Sequence, residues 1–430
     1  MNPARLIVVM HGVRIGELYR SRTGRLRLLY DDDVVEDESA TPLSVSMPLA
    51  GRRHSGALVD NWISGLLPDR PEVLTRWRRD FGIRDLDSFS VLWHVGEDVA
   101  GAAQFVREGR FDAALADASL EPLSVSDVAQ RLARLRTDST AWEPTTATGQ
   151  FSLAGAQAKI ALHRNDNGWA LPGGRTPTTH ILKPAMADLP DQDLGEHLTM
   201  RTAGMLGLRT APSAVESFGD ERAIVIQRYD RVVTDAGTIR VHQEDMCQAM
   251  GISPLLKYES QGGPGIVRIV EHLRQVIPAG ARDEDIDRFL DAVAFNWLVV
   301  GTDAHPRNYA LLLSGPDVRL APLYDLNSFL PYSDRTDVDL AMRVGTHHYN
   351  PYAIGNADWA QLARAVRVDA QDLHDRIVLL ALRLPDAAAD AVAQIRRDLP
   401  DLTSKIPRVY GQRITDRAEA CGKQLTLTSG

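Results

Sequence analysis

The stretch Gly301-Thr302-Asp303-Ala304-His305-Pro306-Arg307-Asn308 sets an acid and an amide five residues apart, and Tyr324-Asp325 follows downstream. Such a pair suits phosphoryl transfer: the carboxylate takes the proton of an attacking hydroxyl while the amide oxygen holds a magnesium ion. Asp325 stands where a second metal-binding carboxylate is needed, after a hairpin expected over 308–324 with its turn at Ser314-Gly315-Pro316-Asp317. Asp303 and Asp325 also read as turn or cap residues. His305 offers a second base, although a lone His beside a helix end more often shapes a loop. With Arg307 and Tyr324 it is placed beside the phosphates.

The reading depends on whether the preceding chain supplies a nucleotide site. The small-residue loop Gly149 to Lys159 contains Ser152, Ala154, Gly155, Ala156, Gln157 and Ala158 and offers backbone N–H groups to phosphate. It is neither G-x-G-x-x-G nor a Walker A motif, and alone it reads equally as a turn. Lys183 ends an apolar strand shortly before a helix that carries Glu196, the order of a phosphate-binding lysine and its ion-pair glutamate. A lysine at a strand end before Pro184 is the plainer alternative. Gln227-Arg228-Tyr229 ends the last strand, where a hinge backbone meets adenine or where an edge strand runs into a loop. The order of these parts carries more weight than any one of them.

These residues need two lobes to position them. Residues 5 to 31 read as a three-stranded meander and helices are expected near 58–67, 72–81 and 86–94, giving an α+β module over 1–106. Residues 107–148 turn Ala-, Asp-, Thr- and Ser-rich and read as a linker with one helix starting at Ser126-Asp127. Strands dominate 149–235, interrupted by one helix near 194–206, and helices dominate 236–430. The helix expected over 285–300 places Ile286, Phe289, Leu290, Val293 and Trp297 on one face, which would anchor the loop that follows. The fold class expected is α+β, a two-lobed protein-kinase-like fold with a β-rich N-lobe and a mainly helical C-lobe behind the N-terminal module.

Composition narrows the partners. A formal net charge of -9 over 430 residues argues against binding nucleic acid by phosphate neutralisation alone, so any DNA contact would run through a partner. Two cysteines, Cys247 and Cys421, give neither a disulfide framework nor metal-ligand spacing. With no apolar run long enough to span a bilayer, a cytoplasmic, membrane-free protein is the expectation.

The same residues resemble a known family. Thr178-Thr179-His180-Ile181-Leu182-Lys183, Gln243-Glu244-Asp245-Met246-Cys247-Gln248, Lys257-Tyr258-Glu259-Ser260 with Gly262-Gly263-Pro264-Gly265, Thr302-Asp303-Ala304-His305 with Asn308, and Pro322-Leu323-Tyr324-Asp325 look like the HipA-type toxin kinases. Gly12-Val13-Arg14-Ile15-Gly16, Pro42-Leu43-Ser44 and Gly65-Leu66-Leu67-Pro68 are similar to that family's N-terminal domain. The resemblance implies an ATP- and Mg2+-dependent serine/threonine-protein kinase, the toxin of a toxin-antitoxin pair. Its partner would be a HipB-like helix-turn-helix antitoxin and its target an aminoacyl-tRNA synthetase, the glutamyl enzyme favoured, so that translation halts and dormancy follows. By matched position Asp303 is the base, Asn308 and Asp325 the metal ligands, Lys183 the phosphate-binding lysine, and Ser152 the autophosphorylated serine that switches the kinase off. Gln157-Ala158-Lys159-Ile160 departs from the Gln-Glu-Lys-Thr often seen in the loop, Gln227 from a hinge Glu, and Arg307 from a lysine. Two rivals remain open: a small-molecule phosphotransferase, and a non-catalytic antitoxin-binding co-repressor.

Overall fold

The computed structural model describes residues 4–116, 119–142, 154–155, 157–186, 189–235, 237–345 and 349–426. Ser152 and Ala156 lie outside them. The chain divides into two compact units, one of Met1–Ala187, Glu216–Pro254 and Leu311–Val318, the other of Asp188–Val215, Leu255–Ala310 and Arg319–Gly430.

The first unit opens on the expected meander, β1 (Ala4–Met10), β2 (Val13–Arg20) and β3 (Leu26–Tyr30), extended at its ends by β4 (Arg53–Ser55) and β5 (Ala103–Arg107) into the order β4-β3-β2-β1-β5. His11 and Gly12 turn β1 into β2 with positive φ, the geometry that matches strand twist in tight hairpins. Period-two alternation sends Leu6, Val8, Leu18 and Leu28 to one face, where Trp62, Phe89 and Phe105 close the core.

A six-stranded sheet follows in the order β10-β11-β9-β7-β8-β6. Its strands are β6 (Ser119–Leu123), β7 (Ile160–Asn165), β8 (Gly168–Gly173), β9 (His180–Pro184), β10 (Ser213–Phe218) and β11 (Glu221–Gln227). Here the expected linker differs from what is found. Residues 119–123 pair with β8 in antiparallel register, and the Val125–Thr137 helix buries Val128, Leu132 and Leu135 against Ile160, Leu182 and Val225. A capping box between Ser124 and Asp127 starts that helix, two residues before the expected cap. The polar composition of 107–148 reflects an edge strand and an amphipathic helix with wet outer faces. Two strands that were not expected, β12 (Arg231–Thr234) and β13 (Gly237–Arg240), form a separate hairpin. β14 (His242–Asp245), β15 (Ala310–Ser314) and β16 (Asp317–Leu320) form a three-stranded sheet that includes the expected hairpin.

In the second unit the Gln192–Met205 helix, expected among the strands, packs on the long Ala370–Asp398 and Ile406–Thr426 helices. It is buried nearly all round, which an apolar stripe alone would not require. The Ala279–Leu298 helix starts six residues earlier than expected and buries Ile286, Phe289, Leu290, Val293 and Trp297, delivering its C-terminal end to the 301–308 loop. Among the described residues no helix is long and apolar enough to cross a membrane.

Candidate active site

The 301–308 loop is built on a backbone that gives its first residues little freedom. Val300, fully buried and β-branched, sits at φ +54, a conformation that costs such a residue roughly 1–3 kcal/mol and persists only when its surroundings dictate it. Those surroundings are a strap. Ser328 donates its hydroxyl to Val299 O at 2.6 Å, and Phe329 N–H donates to Val300 O at 3.1 Å. Gly301 then has no room for a side chain, since a Cβ would lie 2.3 Å from Asn296 Oδ1. The strap follows directly on Asp325, so the two acid-bearing loops are hydrogen-bonded to each other inside one unit.

Within the loop, Asp303 O accepts from His305 N–H at 2.8 Å and from Asn308 Nδ2 at 2.8 Å, which closes a tight turn through the very five-residue spacing noted in the sequence. The Asp303 carboxylate projects outward with 60% of its side chain exposed. Tyr258 donates its hydroxyl to Asp303 Oδ1 at 2.6 Å. His305 lies behind, buried, its ring edge-on to Tyr258 at 5.4 Å and its Nε2 3.9 Å from Asp303 Oδ1. Burial lowers the His305 pKa, with Asp303 pulling the other way, so the ring is neutral at neutral pH and shapes the loop instead of competing as a charged group. Among the described residues its buried Nδ1 has no hydrogen-bond partner.

Asp325 takes φ +56, the left-handed region that a non-glycine residue rarely enters. Two backbone bonds fix the approach to it, Ala211 N–H to Leu323 O and Leu323 N–H to Arg209 O, both 2.8 Å. Tyr324 donates its hydroxyl to the Arg307 carbonyl at 2.7 Å, a second tie between the loops, and the Arg307 side chain is buried. The hairpin's return strand is pinned by Asp285, fully buried, whose carboxylate accepts from Arg288, Arg319 and Leu320 N–H at 2.6, 2.8 and 2.8 Å. Burial works to raise the Asp285 pKa, but the bonds from Arg319, Leu320 and Arg288 leave it lowered. Sequence reading gave no role to Asp285 or Tyr258. A charged residue at the start of an apolar helix face was the available signal for the first; for the second, only its place in the Lys257-Tyr258-Glu259-Ser260 motif.

Magnesium asks for hard oxygen donors and keeps part of its shell for water and substrate phosphate, so two protein ligands suffice. Asn308 fits, because its Nδ2 is bonded to Asp303 O and its amide oxygen is a hard donor, and Asp325 would add a carboxylate. Among the described residues no cluster of three or more His, Cys, Asp or Glu could hold an ion by itself. Glu196 is fully buried in the same unit and accepts from Gln192 Nε2 at 3.3 Å, and the same nitrogen reaches Asn327 Oδ1 at 3.0 Å, two residues past Asp325.

In the first unit, Lys183 is buried on β9, opposite Ile224 of β11, and Gln227 pairs with His180 at the strand end. Ala158 is buried, and Gln157 donates to Pro184 O at 3.3 Å. Gly155, at φ +116, bridges to Pro68 of the N-terminal module, and Asp69 N–H donates to its carbonyl at 3.1 Å. Lys159 turns back onto Ala154 O at 2.7 Å and lies over the Trp142 ring. The Arg228 side chain has a structural role. Its guanidinium is buried on Asp230 at 2.8 Å, Thr178 Oγ1 at 2.8 Å and Val99 O at 2.9 Å, a structural ionic cluster completed by Arg231, Arg240 and Asp98. Burial pushes the Asp98 carboxyl up, and the guanidiniums of Arg231, Arg240 and Arg228 more than reverse it. Tyr229 donates its hydroxyl to Gln243.

The HipA N-terminal domain model matches residues 6–106 and the HipA-like C-terminal domain model residues 151–395, over half of the chain. The chain belongs to the HipA family. It is 34% identical over 415 residues to the putative kinase Y4mE of Sinorhizobium fredii, covering 94% of this chain and 95% of that one. It is 28% identical to the serine/threonine-protein kinase toxin HipA of Shewanella oneidensis, covering 83% and 82%. The structure of that organism's HipA with HipB and operator DNA superimposes with a TM-score of 0.83 at 26% identity, over 96% of both chains. The chain is thus a HipA-type serine/threonine-protein kinase with the expected α+β, kinase-like fold.

Proposed function

We propose that this kinase is the ATP- and Mg2+-dependent toxin of a toxin-antitoxin pair and that Asp303 is its catalytic base. The observation that carries this is the outward-facing Asp303 carboxylate, held at Oδ1 by Tyr258 on a loop whose turn is closed by Asn308. Asp303 takes the proton of a serine or threonine hydroxyl on the acceptor protein as that oxygen attacks. Asn308 and Asp325 would hold magnesium, whose charge would offset that developing on the transferred phosphoryl group. The proposal assigns Lys183, Arg307 and the 154–159 loop to the phosphates and the backbone of Gln227 to Tyr229 to the adenine.

The target proposed from the resemblance is an aminoacyl-tRNA synthetase, the glutamyl enzyme first, with growth arrest as the result. The antitoxin partner is a HipB-like helix-turn-helix protein, the kind of complex known for the Shewanella protein, with DNA reached through it. Autophosphorylation of Ser152 is proposed as the off-switch, because a phosphate adds close to two negative charges beside the γ-phosphate of ATP. Expression of the wild type should arrest growth, Asp303→Asn should not, and phosphopeptide mapping should find a synthetase site in the first culture alone. No synthetase phosphorylation in arrested cells overturns the target, and label mapped entirely away from Ser152 overturns the switch.

A further inference from the structure

Leu255 and Leu256 stand 82% and 41% exposed at the start of the segment that leads to Tyr258. Single exposed leucines are ordinary, but two adjacent ones keep apolar area in water at about 25 cal/mol per Å2, which a partner surface would recover. Tyr258 is the side chain bonded to the Asp303 carboxylate, and Leu255 is three residues before it, so at most about 11 Å of chain separates them. On the other side of Tyr258, Glu259 lines a cavity of about 330 Å3 with Gly265, Ile266, Arg268, Arg343 and Leu362. That volume lies at the lower end for ligand pockets and suits one or two side chains better than a cofactor. Glu259 is already paired with Arg343 at 2.8 Å, and among the described residues Arg268 forms no ion pair, which leaves the cavity one net positive charge.

We propose that Leu255, Leu256 and this cavity form the surface on which the acceptor protein docks, an apolar residue of that protein lying on the leucines and a carboxylate-bearing side chain entering beside Arg268. The occupant is the acceptor protein because the leucines and Glu259 flank Tyr258 in the chain, the Leu256 carbonyl packs against Gly263 of the cavity wall, and Tyr258 holds the carboxylate that would receive the acceptor's proton. The proposal rests on Asp303 being the base.

The test uses the purified full-length protein, labelled ATP with magnesium, and a desalted bacterial cell extract as acceptor. Wild type, Leu255→Asp and Arg268→Glu are compared for label transferred to extract proteins, and separately for the rise in Tm on adding ATP and magnesium. Both changes are at exposed positions, so folding is retained. Transfer to extract proteins should fall at least tenfold in Leu255→Asp and several-fold in Arg268→Glu, with the ATP-induced Tm shift unchanged. Extract labelling at the wild-type rate overturns the proposal. So does a parallel loss of the ATP response, or a change of sedimentation in Leu255→Asp, which would assign the leucines to a second copy of the chain. Should the wild type label nothing, the catalytic reading itself fails and the docking surface falls with it; labelling by wild type and variants alike sinks the docking surface alone.

Discussion

The proposed role of Asp303 as base depends on the neighbours that hold it outward, and each of them is a single hydrogen bond or a single missing atom. Gly301 is the most sensitive. A methyl group there would press on Asn296 Oδ1 at 2.3 Å, and Asn296 cannot retreat without breaking its bond to Ala292 O at 2.9 Å. Gly301→Ala should cost about 2 kcal/mol, read as a lower urea midpoint, and should reduce phosphoryl transfer beyond what the stability loss explains. An unchanged midpoint would show that the loop is not clamped as described. At this scale the sequence was informative about residue types and poor on partners. Asp303, Asn308 and Asp325 were proposed because the chemistry proposed for them requires those side chains at that spacing. The partnership of Tyr258 with Asp303 spans 45 residues, a distance at which no periodicity operates. The structural role of the Arg228 side chain was not legible for the same reason: its carboxylate partners Asp98 and Asp230 become visible only once two strands and a loop have folded together.

Elements carry these residues into place through buried polar joints more than through apolar area. Asp285 joins the start of a helix to the return strand of the hairpin, and it does so with three donors at 2.8 Å or less. Replacing it by Ala leaves Arg288, Arg319 and a backbone N–H without that acceptor, and the expected loss is about 3 kcal/mol in chemical denaturation. Asp285→Asn keeps one acceptor oxygen and should lose less. A loss under about 0.5 kcal/mol in the Ala variant would mean the joint is solvated and contributes little. Strands and helices were readable for most elements, since the central strands are short apolar runs buried on both faces and the Ala279–Leu298 helix carries a long apolar run that ends buried all round. The Val125–Thr137 helix was legible as a helix but not as part of a core, because only Val128, Leu132 and Leu135 of its residues are buried.

For the whole molecule, the N-terminal module and the segment 216–254 fold as one compact unit, and a buried acid sits at their junction. Glu244 accepts from Val45 N–H and Trp62 Nε1, both at 2.8 Å. Burial raises its pKa from 4.5 to about 7, against the opposing pull of its bonds from Ser44, Val45 and Trp62. A carboxyl raised in the folded state contributes fully below its unfolded pKa, near 4.5, and that contribution is lost as pH rises through about 7. Stability should therefore drop by about 2 kcal/mol between pH 5 and pH 8 on this account, and Glu244→Gln should flatten that fall. Equal slopes in the two proteins would place the titration elsewhere. Such a junction could not be read from a sequence that suggested separate modules and a linker, because linkers and amphipathic edge elements share a polar composition. The central claim concerns chemistry at Asp303, and its most direct measurement is transfer of label from ATP with magnesium by the purified wild type, Asp303→Asn and Asp325→Asn. Loss of the base should slow transfer by about 10² to 10⁴-fold, and loss of the metal carboxylate should also reduce it severely. Equal labelling by all three proteins would contradict the account.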